Sequence, residues 1–148
     1  MSDPLRPTAS EAAEAWAARV RANREQVERF REAPDGDFYG PISGAFRDDP
    51  RRTDDAVLDA LVPLARENET WLDIGAGGGR YALPLALHTR EVIAVEPSEG
   101  MLGVLRESAG EHGITNVREV AERWPGPQGL EADVSLIANV GMDIEDFR

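Results

Sequence analysis

Thr70-Trp71-Leu72-Asp73-Ile74-Gly75-Ala76-Gly77-Gly78-Gly79-Arg80 is the stretch that decides the fold. Trp71 to Ile74 is a short strand, apolar but for Asp73, and the glycines from Gly75 to Gly79 cannot continue a strand or a helix, so they form a turn. Arg80 to His88 reads as a helix leaving that turn, and Glu91-Val92-Ile93-Ala94-Val95 as a second strand. Farther on, Ser98 is placed to cap a helix running to about His112. Asn116 to Val120 is a third strand, Trp124 to Gly129 a proline-glycine loop, and Asp133 to Ala138 a fourth strand. Continuous apolar strands alternating with helices argue an α/β fold, a parallel sheet with helices on both faces.

Upstream, a helix is expected from about Ser10 to Glu32. Thr8 and Glu11 have capping-box spacing, Ser10 is an alternative cap, and Trp16, Val20, Val27 and Phe30 share one face. Ala33-Pro34-Asp35-Gly36 should end it. Phe38 to Phe46 is a glycine-punctuated aromatic loop, placed either to pack or to close over a ligand. A second helix is expected from the N-cap Thr53, with Asp54 and Asp55 in its first turn and Pro63 ending it early. This divides the chain into an N-terminal helical or lid segment, 1–52, and a ligand-binding α/β domain, 53–148. His88 and His112 fall near helix C-termini, where the dipole favours them. Asp143, Glu145 and Asp146 read as a solvated helix start rather than a metal site.

The 148 residues carry 16 Lys+Arg against 28 Asp+Glu, a formal net charge of -12. Such a surface repels phosphates and anionic lipid heads, so a nucleic acid partner is disfavoured and no membrane partner is expected. The absence of cysteine excludes disulfides and thiolate metal sites. No apolar run approaches the roughly 18 residues of a membrane span, and Met1 to Pro7 do not resemble a signal peptide. A cytoplasmic protein is expected.

The glycine turn carries the chemistry. Glycines let backbone approach a ligand closely, and the helix that follows presents free N–H groups at the carboxyl end of the sheet. Glu96 follows the second strand, where an acid can accept both hydroxyl hydrogens of a ribose. A dinucleotide and an adenosyl cofactor share these features. The dinucleotide fingerprint wants a small residue where this sequence has Arg80, whereas Asp73, Gly75, Gly77 and Gly79 match D-x-G-x-G-x-G. A carboxylate at Asp73 suits a cationic cofactor better than a pyrophosphate.

Trp71 to Leu87 resembles motif I of class I, Rossmann-like S-adenosylmethionine-dependent methyltransferases, and Val92 to Ser98 with Met101-Leu102 resembles their second motif. The resemblance implies that Gly75, Ala76 and Gly77 bring backbone against the methionine part of S-adenosylmethionine and that Asp73 anchors its amino group. Glu96 would hold the ribose, and Pro97 or Met101 would pack on the adenine. The Ala121 N–H and Glu122 would meet the adenine edge, and Asn139 would face the cofactor. No catalytic residue is assigned. The implied activity is methyl transfer to a small-molecule acceptor, with a non-catalytic S-adenosylmethionine-binding module as the alternative. A nicotinamide oxidoreductase is disfavoured by Arg80 and Asp73. The family's complete sheet has seven strands and four are legible here, so an incomplete fold is expected, with homodimer formation through the open fourth-strand edge.

Overall fold

The computed structural model describes residues 7–28, 36–126, 128–140 and 144–145. They fall into two compact units: one drawn from 1–36 and 140–148, the other formed by Asp37–Asn139.

In the first unit, helix α1 spans Ala9–Glu28. Its start is a reciprocal capping box: the Thr8 N–H donates to Glu11 Oε2 at 2.7 Å, and the Glu11 N–H donates to Thr8 Oγ1 at 3.3 Å. Val20 is buried. The Trp16 indole N–H donates to the Ile144 carbonyl at 2.8 Å, and Arg21 and Arg24 pair with Glu145. Phe30, Asp143 and Asp146 lie outside the described residues, as do Ala33 to Asp35.

The second unit holds the sheet. Strands β1 (Thr70–Ile74), β2 (Glu91–Val95), β3 (Val117–Val120) and β4 (Val134–Ile137) are all parallel, in the order β3-β2-β1-β4. Among the described residues the α-helices of this unit are α2 (Ala56–Leu61), α3 (Ala82–Ala86) and α4 (Glu99–Glu111). The expected division after residue 52 falls inside this unit, because residues 37–52 group with the sheet.

Helix α2 starts later than expected. Asp55, not Thr53, is its N-cap, accepting from the Val57 and Leu58 N–H groups, while Asp54 takes φ 63°. A side chain that reaches both N–H groups defines a cap better than residue type alone. Pro63 sits in the short 3-10 turn Val62–Leu64 that closes the element. Helix α3 is shorter than expected, because Gly77 to Tyr81 stay in turns.

Every side chain of β1 is buried, as are four of the five in β2. Trp71, Val92 and Ala94 alternate onto the sheet face that carries Leu58 of α2, Leu83 and Leu85 of α3, and Leu105 of α4. Leu72, Ile74, Ile93 and Val95 point to the other face and are equally buried. Burial on both faces is why β2 reads as an unbroken apolar run from Val92 to Val95 and why β1 is apolar but for Thr70 and Asp73. Strands β3 and β4 are half exposed, as edge strands are.

Candidate functional site

Register brings the carboxyl ends of β1 and β2 together, with Ile74 opposite Val95. Both Gly75 and Ala76 donate their N–H to the Val95 carbonyl, at 2.8 and 3.1 Å, which folds the turn across the end of β2. Gly75, Gly77 and Gly79 all have positive φ, the left-handed region that glycine reaches at least cost.

The glycines differ in what surrounds them. A Cβ on Gly79 would lie 2.8 Å from Leu83 Cγ and 3.2 Å from Leu105 Cγ, so this glycine permits close packing of α3 and α4 against the turn. That role falls one residue before Arg80, whose side chain is instead exposed and pairs with Asp48 and Asp55. A Cβ on Gly78 would lie 2.9 Å from the Phe46 carbonyl oxygen. Nothing lies within 4 Å of where a Cβ of Gly77 would stand. Gly77 borders open space, as a backbone cradle for a ligand must.

Two carboxylates flank this cradle. Asp73 is 2% exposed, and its Oδ2 is buried without a hydrogen-bond partner. Burial pushes its pKa up to about 7, with the Glu96 charge adding to the rise and the Ala82 N–H opposing it. An orphaned buried carboxylate oxygen awaits a donor or a cation. Glu96, 7% exposed, accepts from the Gly77 N–H through Oε2 at 2.9 Å and from the Ser98 N–H through Oε1 at 2.9 Å. Those two donors fix the carboxylate and leave each oxygen a second lone pair for a hydroxyl. A sulfonium amino acid with a ribose therefore fits the residues present: ammonium at Asp73, backbone at Gly77, diol at Glu96.

Of the remaining expected residues, Met101 is buried on the first turn of α4, where its N–H is capped by Ser98 Oγ at 3.1 Å, and Pro97 is exposed at the same corner. Ala121 and Glu122 are exposed just beyond β3, which is tied to β2 by the Glu96 N–H donating to the Val120 carbonyl at 3.0 Å. Asn139 follows β4 with φ 62°, exposed. All lie at the carboxyl end of the sheet.

One participant has no local sequence signal. Asp37 accepts from the Ser98 hydroxyl through Oδ1 and from the Gly100 N–H through Oδ2, both at 2.7 Å. Those bonds, the hydroxyl's first, hold its carboxyl below the usual carboxylate range. The separation of 61 residues from Ser98 hides this contact from any reading of spacing. Elsewhere, a hollow of about 660 Å³ runs between α2 and α3, lined by Pro50, Leu58, Val62 and His88 among others, and holds none of the site residues.

Residues 72–146 match the methyltransferase domain family. The chain is 38% identical over 87 residues to the 23S rRNA (uracil(1939)-C(5))-methyltransferase RlmD of Marinomonas sp. (strain MWYL1), covering 59% of this chain and 19% of that protein. It is 32% identical over 107 residues to the ribosomal RNA small subunit methyltransferase G of Neisseria gonorrhoeae (strain NCCP11945), covering 70% of this chain and 51% of that one. The chain thus spans about half or less of the length of these relatives. A dimethyladenosine transferase from Plasmodium falciparum shares the fold, with a TM-score of 0.52 at 18% identity over 55% of this chain and 30% of the other.

The relatives overturn one expectation. The net charge of -12 was read as disfavouring nucleic acid and favouring a small-molecule acceptor. Proteins similar to this chain are named as methyltransferases of ribosomal RNA, which runs against that expectation. Net charge averages over a surface, while acceptor choice depends on a local patch, so the inference from charge was too coarse.

Proposed function

The chain belongs to the methyltransferase domain family, and on that premise we propose that its glycine turn holds S-adenosylmethionine for methyl transfer to RNA. The observation that carries the cofactor's placement is the pair of buried acids, Asp73 and Glu96, on either side of the open Gly77 cradle. RNA as acceptor is supported by the ribosomal RNA methyltransferases among the relatives.

S-adenosylmethionine supplies a methyl group on a sulfonium, whose departure leaves a neutral thioether. The protein therefore has no departing anion to stabilise. Its work is to hold acceptor, methyl and sulfur in line, and such positioning can contribute effective molarities up to about 10⁵–10⁸ M. In this reading the ionised Asp73 carboxylate takes the ammonium, and the Gly75 to Gly77 backbone follows the methionine chain. Glu96 accepts the ribose hydroxyls, and Pro97 and Met101 border the adenine. Ala121 and Glu122 lie toward the adenine edge and Asn139 toward the acceptor. A general base is required only for an acceptor that arrives protonated.

A second reading is favoured by the arginines. Arg47, Arg52, Arg80, Arg106 and Arg118 are each paired with a carboxylate. Guanidinium groups so engaged would have to leave a carboxylate to meet a phosphate, which supports a cofactor-holding unit whose acceptor is gripped by other residues.

Calorimetry with S-adenosylhomocysteine and with NAD tests the cofactor. Binding of the first and not the second is expected, and the reverse sinks the assignment. Transfer of radiolabel from S-adenosylmethionine to ribosomal RNA fragments tests the acceptor.

A further inference from the structure

Asp37 belongs to none of the family-like motifs, yet it is joined to the site through Ser98, which it holds by the hydroxyl and which holds Glu96 by its backbone N–H. Its Oδ1 accepts the Ser98 hydroxyl at 2.7 Å, the Ser98 N–H donates to Glu96 Oε1 at 2.9 Å, and Glu96 Oε2 accepts the Gly77 N–H at 2.9 Å. The segment behind Asp37 is pinned at both ends. At one end, a Cβ on Gly100 would lie 2.5 Å from Gly40 Cα, so the 37–40 backbone rests against the start of α4. At the other, the Phe46 carbonyl approaches Gly78 closely enough to exclude a side chain there. Between these points lies the short 3-10 helix Gly40–Phe46, with Tyr39 edge-on to both Phe38 and Phe46.

From this geometry we infer that Asp37 is a positioning residue for the cofactor. It acts through Ser98 to fix the Glu96 carboxylate against Gly77, and the 37–46 segment is the strap that holds it there. The inference rests on the cofactor reading above. A hydroxyl that donates to a carboxylate is a stronger acceptor, so Asp37 strengthens the bond that Ser98 Oγ accepts from the Met101 N–H at 3.1 Å, which orders the corner and with it the Ser98 backbone. Asp37 itself touches no reacting atom.

The full 148-residue chain serves for the test. Asp37→Ala should weaken S-adenosylhomocysteine about tenfold, the size of one charge-assisted hydrogen bond, with Asp37→Asn intermediate because its one carbonyl oxygen still accepts the Ser98 hydroxyl. In a Glu96→Gln background the Asp37→Ala loss should shrink below about threefold, since residues on one path are not additive. A ligand-free readout accompanies these: Gly77 amide hydrogen exchange should accelerate in Asp37→Ala, and in Ser98→Ala should that variant be the better folded. A wild-type chain that fails to bind S-adenosylhomocysteine overturns the cofactor reading and this role with it, while Gly77 exchange still reports whether the path exists. A wild type that binds, beside an Asp37→Ala chain of equal affinity and unchanged Gly77 exchange, overturns the Asp37 role alone. Fully additive losses in the double variant overturn it too.

Discussion

Asp73 is the residue at which folding and function pull apart. Burial holds its carboxyl pKa up at about 7 in the folded chain, against an ordinary aspartate value of 3.8. Between those values the unfolded chain has released the proton and the folded chain keeps it, so rising pH favours unfolding across that window. At about 1.4 kcal/mol per pKa unit, the cost above pH 7 is a few kcal/mol. Asp73→Asn removes the titration. Its melting temperature should fall less than the wild type's between pH 5 and 8 and should exceed it at pH 8; a wild-type melting temperature flat over that range argues against burial as the cause. Binding should show the opposite trend. The ionised carboxylate attracts the ammonium, so wild-type affinity for S-adenosylhomocysteine should climb as pH rises through 7, and the variant should bind weakly with a flatter profile. Gly77 separates ligand from fold in another way. A Cβ there meets nothing within 4 Å, and φ is +56°. Gly77→Ala should therefore cost stability only the left-handed backbone penalty, about 1–2 kcal/mol. It should weaken the cofactor at least about tenfold by filling the cradle. Unchanged affinity in that variant would move the ligand away from the turn.

At the scale of elements, legibility followed the range of the interactions. Strands β1 and β2 were readable because burial on both faces leaves mostly apolar side chains, all of them from Val92 to Val95 in β2 and all but Thr70 and Asp73 in β1. The glycine turn was readable because backbone conformation and close packing demand one residue type at fixed offsets. Both α1's capping box and α4's Ser98 cap were readable because a cap bonds within three residues. The cap of α2 is Asp55 and not the expected Thr53 because local sequence offers three capping residues in a row, and the fold chooses among them through Arg52 and Arg80, which both grip Asp55. The strap was not legible: its aromatic character was plain, but its anchorage to α4 depends on Gly40 meeting Gly100 across the fold. That anchorage makes Gly100→Ala a test of the element. With Gly40 Cα 2.5 Å from the added methyl, backbone must move, and overpacking of this kind costs about 1–3 kcal/mol. Gly103→Ala, where nothing lies within 4 Å, is the matched control in the same helix and should be neutral or slightly stabilising. Equal melting temperatures for the two variants would mean that the strap does not rest on α4.

For the whole molecule, the question is how an acidic chain of net charge -12 is reconciled with relatives that methylate ribosomal RNA. Counterion release makes phosphate binding visible as a salt slope of about −0.9 per neutralised phosphate on a duplex. The paired arginines have little to offer such contacts: Arg106 is held by both Glu99 and Glu119, and Arg80 by both Asp48 and Asp55. Withdrawing a guanidinium from two carboxylates to meet one phosphate gains little in water, where each exposed pair is worth at most about 1 kcal/mol. The cofactor site is different, because its charges are few, buried and fixed by backbone. The 148-residue chain should accordingly bind S-adenosylhomocysteine with an affinity that barely changes between 50 and 200 mM salt, roughly the range over which phosphate contacts lose most of their strength. Binding to a ribosomal RNA hairpin, followed by fluorescence anisotropy over the same range, should be weak and should show a slope smaller in magnitude than about 2, two phosphates or fewer. A slope of about −5 or steeper would place a phosphate-reading surface within this chain and remove the support for an acceptor gripped by other residues. It would also require several of the ion pairs named here to open on RNA, which Arg106→Gln and Arg80→Gln would then detect as losses of about one in slope each.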